Sequence, residues 1–181
     1  MKLLRRKIDL FLEEWKNRAD HQPLIVKGAR QVGKTASIMQ FAQANYAHVV
    51  AINFVLQLKY KAIFNDGYEV DNIVSNLTLI NPEIELEAGN TLIFFDEMQD
   101  CPACATSLKA FKLDGRYDVI CSGSMMGINY REIESNSVGY KEDYTMHSMD
   151  FEEFLWAKGY NEAFVDRIFN KMCQLKGGSI N

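Results

Sequence analysis

The sequence predicts an α/β domain, a parallel sheet with helices on both faces. Short, continuously apolar runs recur along the chain, as strands buried on both faces require. Segments of helical periodicity alternate with them, as crossovers between parallel strands require. A glycine-rich turn also stands directly between the first apolar run and a helical segment. In open sheets of this kind, ligands bind beyond the carboxyl ends of the strands.

Residues 3–18 read as an amphipathic helix, because Leu4, Ile8, Phe11, Leu12 and Trp15 recur at helical spacing with charges between them. His21-Gln22-Pro23 breaks it, and Leu24-Ile25-Val26 is the first buried strand. A helix is expected at 34–45, a strand at 48–54, a helical segment at 56–64, a turn at Asp66-Gly67 and a helix at 71–79. A third strand follows at 91–95, a short helix at 105–111 and a fourth strand at 117–121. Residues 125–143 read as polar and irregular, with Met125-Met126 as packing or a loop. A fifth strand is expected at 144–146, and helices at 151–158 and 162–173. The chain divides into an N-terminal helix over 1–20, a core over 21–147 and a helical C-terminal segment over 148–181.

The length of 181 residues suits one domain with a substantial core. A net charge of −4 argues against a dedicated nucleic-acid surface without excluding nucleic acid as a partner. The charge is uneven: residues 1–34 hold nine Lys or Arg against four Asp or Glu. Arg5, Arg6 and Lys7 read as a solvated helix face. Asp9, Glu13 and Glu14 interrupt the apolar N-terminal stretch, which is therefore neither leader nor membrane span. The expected location is the cytoplasm, where the four cysteines stay reduced.

Three motifs fall at strand ends. Gly28-Ala29-Arg30-Gln31-Val32-Gly33-Lys34-Thr35 fits GxxxxGK[ST] without deviation. Glycines let the backbone curl so that successive N–H groups point at phosphate oxygens. The next helix presents its positive dipole end to the same anion. The spacing makes residues 28–35 and Ala36 a cradle for ATP. Lys34 is expected to face solvent and phosphate, and the Thr35 hydroxyl to ligate Mg²⁺. Second, Leu92-Ile93-Phe94-Phe95-Asp96-Glu97 buries a strand and releases two carboxylates at its end. Asp96 is placed to hold the Mg²⁺ shell and Glu97 to take a proton from an attacking water. Third, Cys121-Ser122-Gly123-Ser124 ends the fourth strand. A hydroxyl of Ser122 or Ser124 there suits a γ-phosphate or lytic water, although Ser-Gly-Ser is also turn chemistry.

Cys101-Pro102-Ala103-Cys104 has CxxC spacing but lacks the second ligand pair of a zinc site, and reads as incidental. Phe151, Phe154, Leu155 and Trp156 form the apolar side of a helix, as core or interface.

Together these motifs resemble prokaryotic AAA+-type ATPases whose Walker A loop reads GARQVGKT. The matching stretches are Gly28 to Thr35, Ile52-Asn53-Phe54, Leu92 to Pro102, Asp114 to Gly127, Ser137 to Lys141 and Met149 to Ala157. The resemblance implies a three-layer P-loop NTPase fold with five parallel strands in the order 5-1-4-3-2. It implies Asp96 and Glu97 as Walker B residues and Ser122 or Ser124 as the sensor on strand four. Gln99 matches a polar residue after Walker B. Arg116 stands where an arginine finger for a neighbouring subunit could sit, or pairs with Asp114 or Asp118. Family chains continue for a few hundred residues into a C-terminal domain, so this sequence is expected to be a fragment that ends at the start of a lid or linker. The expected activity is ATP hydrolysis coupled to movement of an attached domain or partner, with self-association through the ATPase face. A nucleotide-dependent switch with negligible turnover has the same core. A small-molecule kinase would need a lid with arginines, and after the loop only Arg116, Arg131 and Arg167 remain.

Overall fold

The fold is taken from a computed structural model. It describes residues 4–124 and 139–161, and beyond them residues 163–165, 167, 168, 170 and 171. Helix α1 covers Lys7–Asn17 and strand β1 covers Leu24–Lys27. Helix α2 covers Lys34–Asn45, β2 covers His48–Asn53, and α3 covers Val70–Ile80. Then come β3 at Thr91–Asp96, α4 at Ala103–Asp114, β4 at Asp118–Gly123, β5 at Glu142–Thr145 and α5 at Phe151–Ala157.

The five strands form one sheet in the order β2-β3-β4-β1-β5, and every pairing is parallel. Read from the other edge, this is the expected 5-1-4-3-2. Side chains alternate across a strand, so neighbouring residues enter opposite layers. Ile25, Ile52, Ile93, Phe95, Val119 and Cys121 pack with α3 and α4. Leu24, Val26, Leu92, Phe94 and Ile120 pack with α1 and α2. Phe94 and Phe95 are almost wholly buried, one on each face. Each contributes about 1.5–3 kcal/mol by leaving water. That double burial is why these strands lack polar alternation.

The structure moves several boundaries. Helix α1 begins at Lys7, where the Asp9 carboxylate accepts the Arg6 backbone N–H at 2.8 Å. The segment Leu58–Phe64 is a 3₁₀ helix. Strand β5 starts at Glu142, inside the stretch read as irregular, because parallel pairing with β1 sets its register: Leu24 opposes Glu142 and Lys27 opposes Thr145. Its solvent-facing charges hide it from an apolar-run criterion. Met125, Met126 and Arg131 lie outside the described residues; of the helix expected at 162–173, residues 163–165, 167, 168, 170 and 171 are helical and the others lie outside the described residues. No helix among the described residues is long and apolar enough to cross a membrane.

Candidate functional site

Parallel pairing brings the carboxyl ends of β1, β2, β3 and β4 to one rim, and the loop 28–33 leaves β1 there. Two glycines permit its shape. A Cβ on Gly28 would stand 2.2 Å from the Met146 carbonyl oxygen, so the close approach of loop and β5 excludes any side chain. Gly33 has φ +100 at the N-cap of α2, a conformation that favours glycine. Gln31 adopts φ +64 without that freedom.

Lys34 is buried under its own loop, which corrects the expectation that it faces solvent. Its Nζ donates to the Gly28 carbonyl at 2.9 Å and the Ala29 carbonyl at 2.8 Å. The α2 helix turns the residue inward at its first position, and the carbonyls supply acceptors that an interior ammonium requires. Burial pushes the ammonium below its ordinary pKa, against the opposing pull of Glu97 and Asp96.

Asp96 is the hub. Its Oδ2 accepts from the Thr35 hydroxyl at 3.1 Å and from Asn53 Nδ2 at 3.0 Å. Its Oδ1 accepts from the Glu97 backbone N–H at 3.1 Å and from the Ser122 hydroxyl. A carboxylate has about four lone-pair sites, so protein donors fill the acceptor capacity of Asp96. The Thr35 hydroxyl gives its proton to Asp96, which leaves its oxygen lone pairs directed elsewhere. This donor set fits a divalent cation held on Thr35 with Asp96 behind it in the outer shell.

Glu97 occupies the left-handed region at φ +55, a conformation that costs about 1–3 kcal/mol and is kept by its surroundings. Gln99 Nε2 donates to the Glu97 carboxylate and to Asp100 Oδ2. Gln99 Oε1 accepts the Ser124 backbone N–H at 3.3 Å. A Cβ on Gly123 would come 3.0 Å from that oxygen, so the glycine admits Gln99 against β4.

A cleft of about 390 Å³ is lined by Arg30, Gln31, Gly33, Lys34, Thr35, Ala36 and Glu97. A neighbouring cleft of about 300 Å³ shares Arg30 and Glu97 and adds Asn53, Val55, Leu56 and Gln99. Val32 turns its side chain into the core beside Met146. Ser122 is fully buried with its hydroxyl on Asp96, while Ser124 meets Gln99 through its backbone. Arg116 pairs with Asp114 and Asp71 at the other end of the sheet. Cys104 is buried with its sulfur 3.5 Å from Cys121, a residue distant in sequence, rather than paired with Cys101.

Sequence reading left Asn53, Gln99 and Arg6 without roles. Asn53 had a signal, a lone amide ending an apolar strand. Gln99 had only its place two residues after Glu97. Arg6 had none: it is buried, its Nη1 donates to the Val32 carbonyl at 2.9 Å, and it pairs with Glu153. The solvated face expected for Arg5, Arg6 and Lys7 is therefore corrected at Arg6. Lys7 lies at the surface, where it pairs with Asp150 and Glu152.

A three-layer parallel sheet in this strand order, with a glycine-rich loop and an acidic strand end meeting at one rim, defines a P-loop nucleotide-binding domain. A family model described as AAA domain matches residues 20–155. The chain belongs to this family of AAA-type P-loop ATPases. No curated protein matches the chain.

Proposed function

We propose that the chain binds ATP with Mg²⁺ in the cleft of residues 28–36 and hydrolyses the β–γ phosphoanhydride. Movement of an attached domain or partner is the output we assign to that turnover. The observation that carries the reading is the hydrogen bond from Thr35 to Asp96, which joins the phosphate loop to the acidic strand end. Loop N–H groups and Lys34 bind the phosphates. Thr35, with Asp96 behind it, would hold the cation, which would supply positive charge against the phosphates. Asn53 and Ser122 hold Asp96, so Ser122 acts through that carboxylate; Ser124 gives its N–H to Gln99.

Glu97 takes a proton from water as the water oxygen bonds to the γ-phosphorus. The bond from the γ-phosphorus to the bridging oxygen breaks, and ADP and phosphate leave. Gln99 keeps the Glu97 carboxylate in place until that proton moves. The same contact favours a second reading, an ATP-dependent switch with little turnover, because it engages the base.

The test is Mg²⁺-dependent phosphate release with ATP affinity measured in parallel. Glu97→Gln keeps its size but cannot take up a proton. Turnover is expected to fall about 10²–10⁴-fold with affinity retained. Equal turnover in the variant sinks the role of Glu97. Negligible turnover in the wild type, with ATP bound, selects the switch.

A further inference from the structure

Arg6 reaches the phosphate loop from the start of the chain. Its side chain is 11% exposed. Nη1 donates to the Val32 carbonyl and Nη2 to the His147 carbonyl, both at 2.9 Å. Nε lies 3.1 Å from Glu153 Oε1, an ion pair angled away from a hydrogen bond. Removing a guanidinium from water costs several kcal/mol unless it is well paired. Here one planar fork joins the phosphate loop, the end of β5 and helix α5.

Glu153 is fixed in its turn. It accepts the Lys7 backbone N–H at 2.7 Å and the Asp150 backbone N–H at 3.0 Å. Burial works to raise its pKa, but these hydrogen bonds and Arg6 outweigh it and hold the carboxyl below the ordinary glutamate value. The loop is pressed from the same side by Met146, whose carbonyl closes on Gly28.

The Val32 carbonyl and the Gly33 N–H belong to one trans, planar peptide unit, so they point in opposite directions. A donor that fixes the carbonyl on the protein side fixes the N–H toward the opposite side, where Gly33 lines the cleft. We propose that Arg6 is a positioning residue for phosphate binding: it clamps the Val32 carbonyl so that the Gly33 N–H is aimed at the anion, with Glu153 holding Arg6 in that pose. The inference rests on the reading of residues 28–36 as a phosphate cradle. It makes helix α5 a direct mechanical neighbour of the nucleotide site.

The test compares Arg6→Gln with the wild-type full chain in three measurements. These are Mg-ATP affinity by calorimetry, thermal stability, and the ¹⁵N–¹H signal of the Gly33 amide with and without Mg-ATP. Affinity is expected to fall about tenfold, the effect of one well-placed hydrogen bond to a charged group. The shift of the Gly33 signal on adding Mg-ATP is expected to shrink. A lower melting temperature with wild-type affinity and a wild-type Gly33 response makes Arg6 a strut only and overturns the proposal.

If Arg6→Gln does not fold, Arg6→Lys decides instead. An ammonium cannot span Val32, His147 and Glu153 together, so reduced affinity in a folded variant supports the proposal and unchanged affinity overturns it. ATP binding that depends on Lys34 but not on Arg6 removes this inference alone. A wild-type chain that binds no ATP removes the cradle reading and this inference with it.

Discussion

The two ends of the sheet both carry a carboxylate held by several donors, yet they are built on different principles. At the amino end, Asp118 accepts from His21 Nε2 at 2.7 Å and from the Tyr46 hydroxyl at 2.6 Å. Burial, then Asp118, pushes the Tyr46 phenol above its ordinary pKa. Nearby, Arg116 pairs with Asp114 and Asp71, and Lys112 with Asp20. At the carboxyl end, Asp96 is surrounded by hydroxyls, an amide and a backbone N–H, all neutral donors. Among the described residues neither Asp96, Glu97 nor Lys34 has an ion pair. Gln31 and Glu97, the non-glycine residues with positive φ there, flank this rim.

Charge that meets its opposite within the protein is structural and closed. At the carboxyl end the capacity of Asp96 is filled by neutral donors, while Lys34 and Glu97, without an ion pair among the described residues, line the cleft. A concavity of about 210 Å³ also exists at the amino end, beside Trp15, His21 and Asp118. Cavity alone therefore does not separate the two ends; charge balance and backbone strain do.

The comparison breaks most readily at Lys34. Lys34→Ala removes the cation from the open end. ATP affinity is expected to fall about 10–100-fold, in line with about 1.5–3 kcal/mol for a hydrogen bond to a charged group. Circular dichroism is expected to stay native, because the side chain meets loop carbonyls and no apolar cluster. Titration calorimetry checks it, and equal affinities would refute the loop assignment.

Gly28→Ala probes the strained geometry. The added methyl meets a backbone carbonyl at 2.2 Å, so strand and loop must separate. A stability loss of about 1–3 kcal/mol is expected from overpacking, together with weaker nucleotide binding. Denaturant unfolding measures the first, and unchanged stability would mean that Met146 yields freely.

Asp118→Asn sharpens the contrast from the closed end. It leaves one acceptor for two donors and removes the charge opposite His21. A loss of about 1 kcal/mol is expected, with ATP affinity unchanged. A weakened affinity in this variant would show that the two ends are coupled through β4.

Much of the fold was legible because it is written locally. The apolar run at Leu92 to Phe95 needs only its own residues to declare a buried strand, and the loop 28–35 declares itself by spacing. The charged strand β5 starts two residues before the expected position because its register is a property of its pairing with β1. The acidic pair was legible for the same local reason as the loop. The partition of roles between Ser122 and Ser124 was not, because both stand within three residues of one strand end and only the direction of each group separates them.

The sequence by itself determined the layered α/β architecture, the glycine-rich loop after β1 and the acidic strand end, since each depends on periodicity or spacing between near neighbours in the chain. Only the tertiary structure decided where the long polar side chains go. Arg6 turned inward to a carbonyl 26 residues away and another 141 residues away. Lys34 folded beneath its own loop, and Gln99 bridged Glu97 to the end of β4. A flexible charged side chain has no local preference strong enough to choose solvent or interior. It goes where acceptors from distant segments assemble to offset its desolvation, and those segments come together only when the chain has folded.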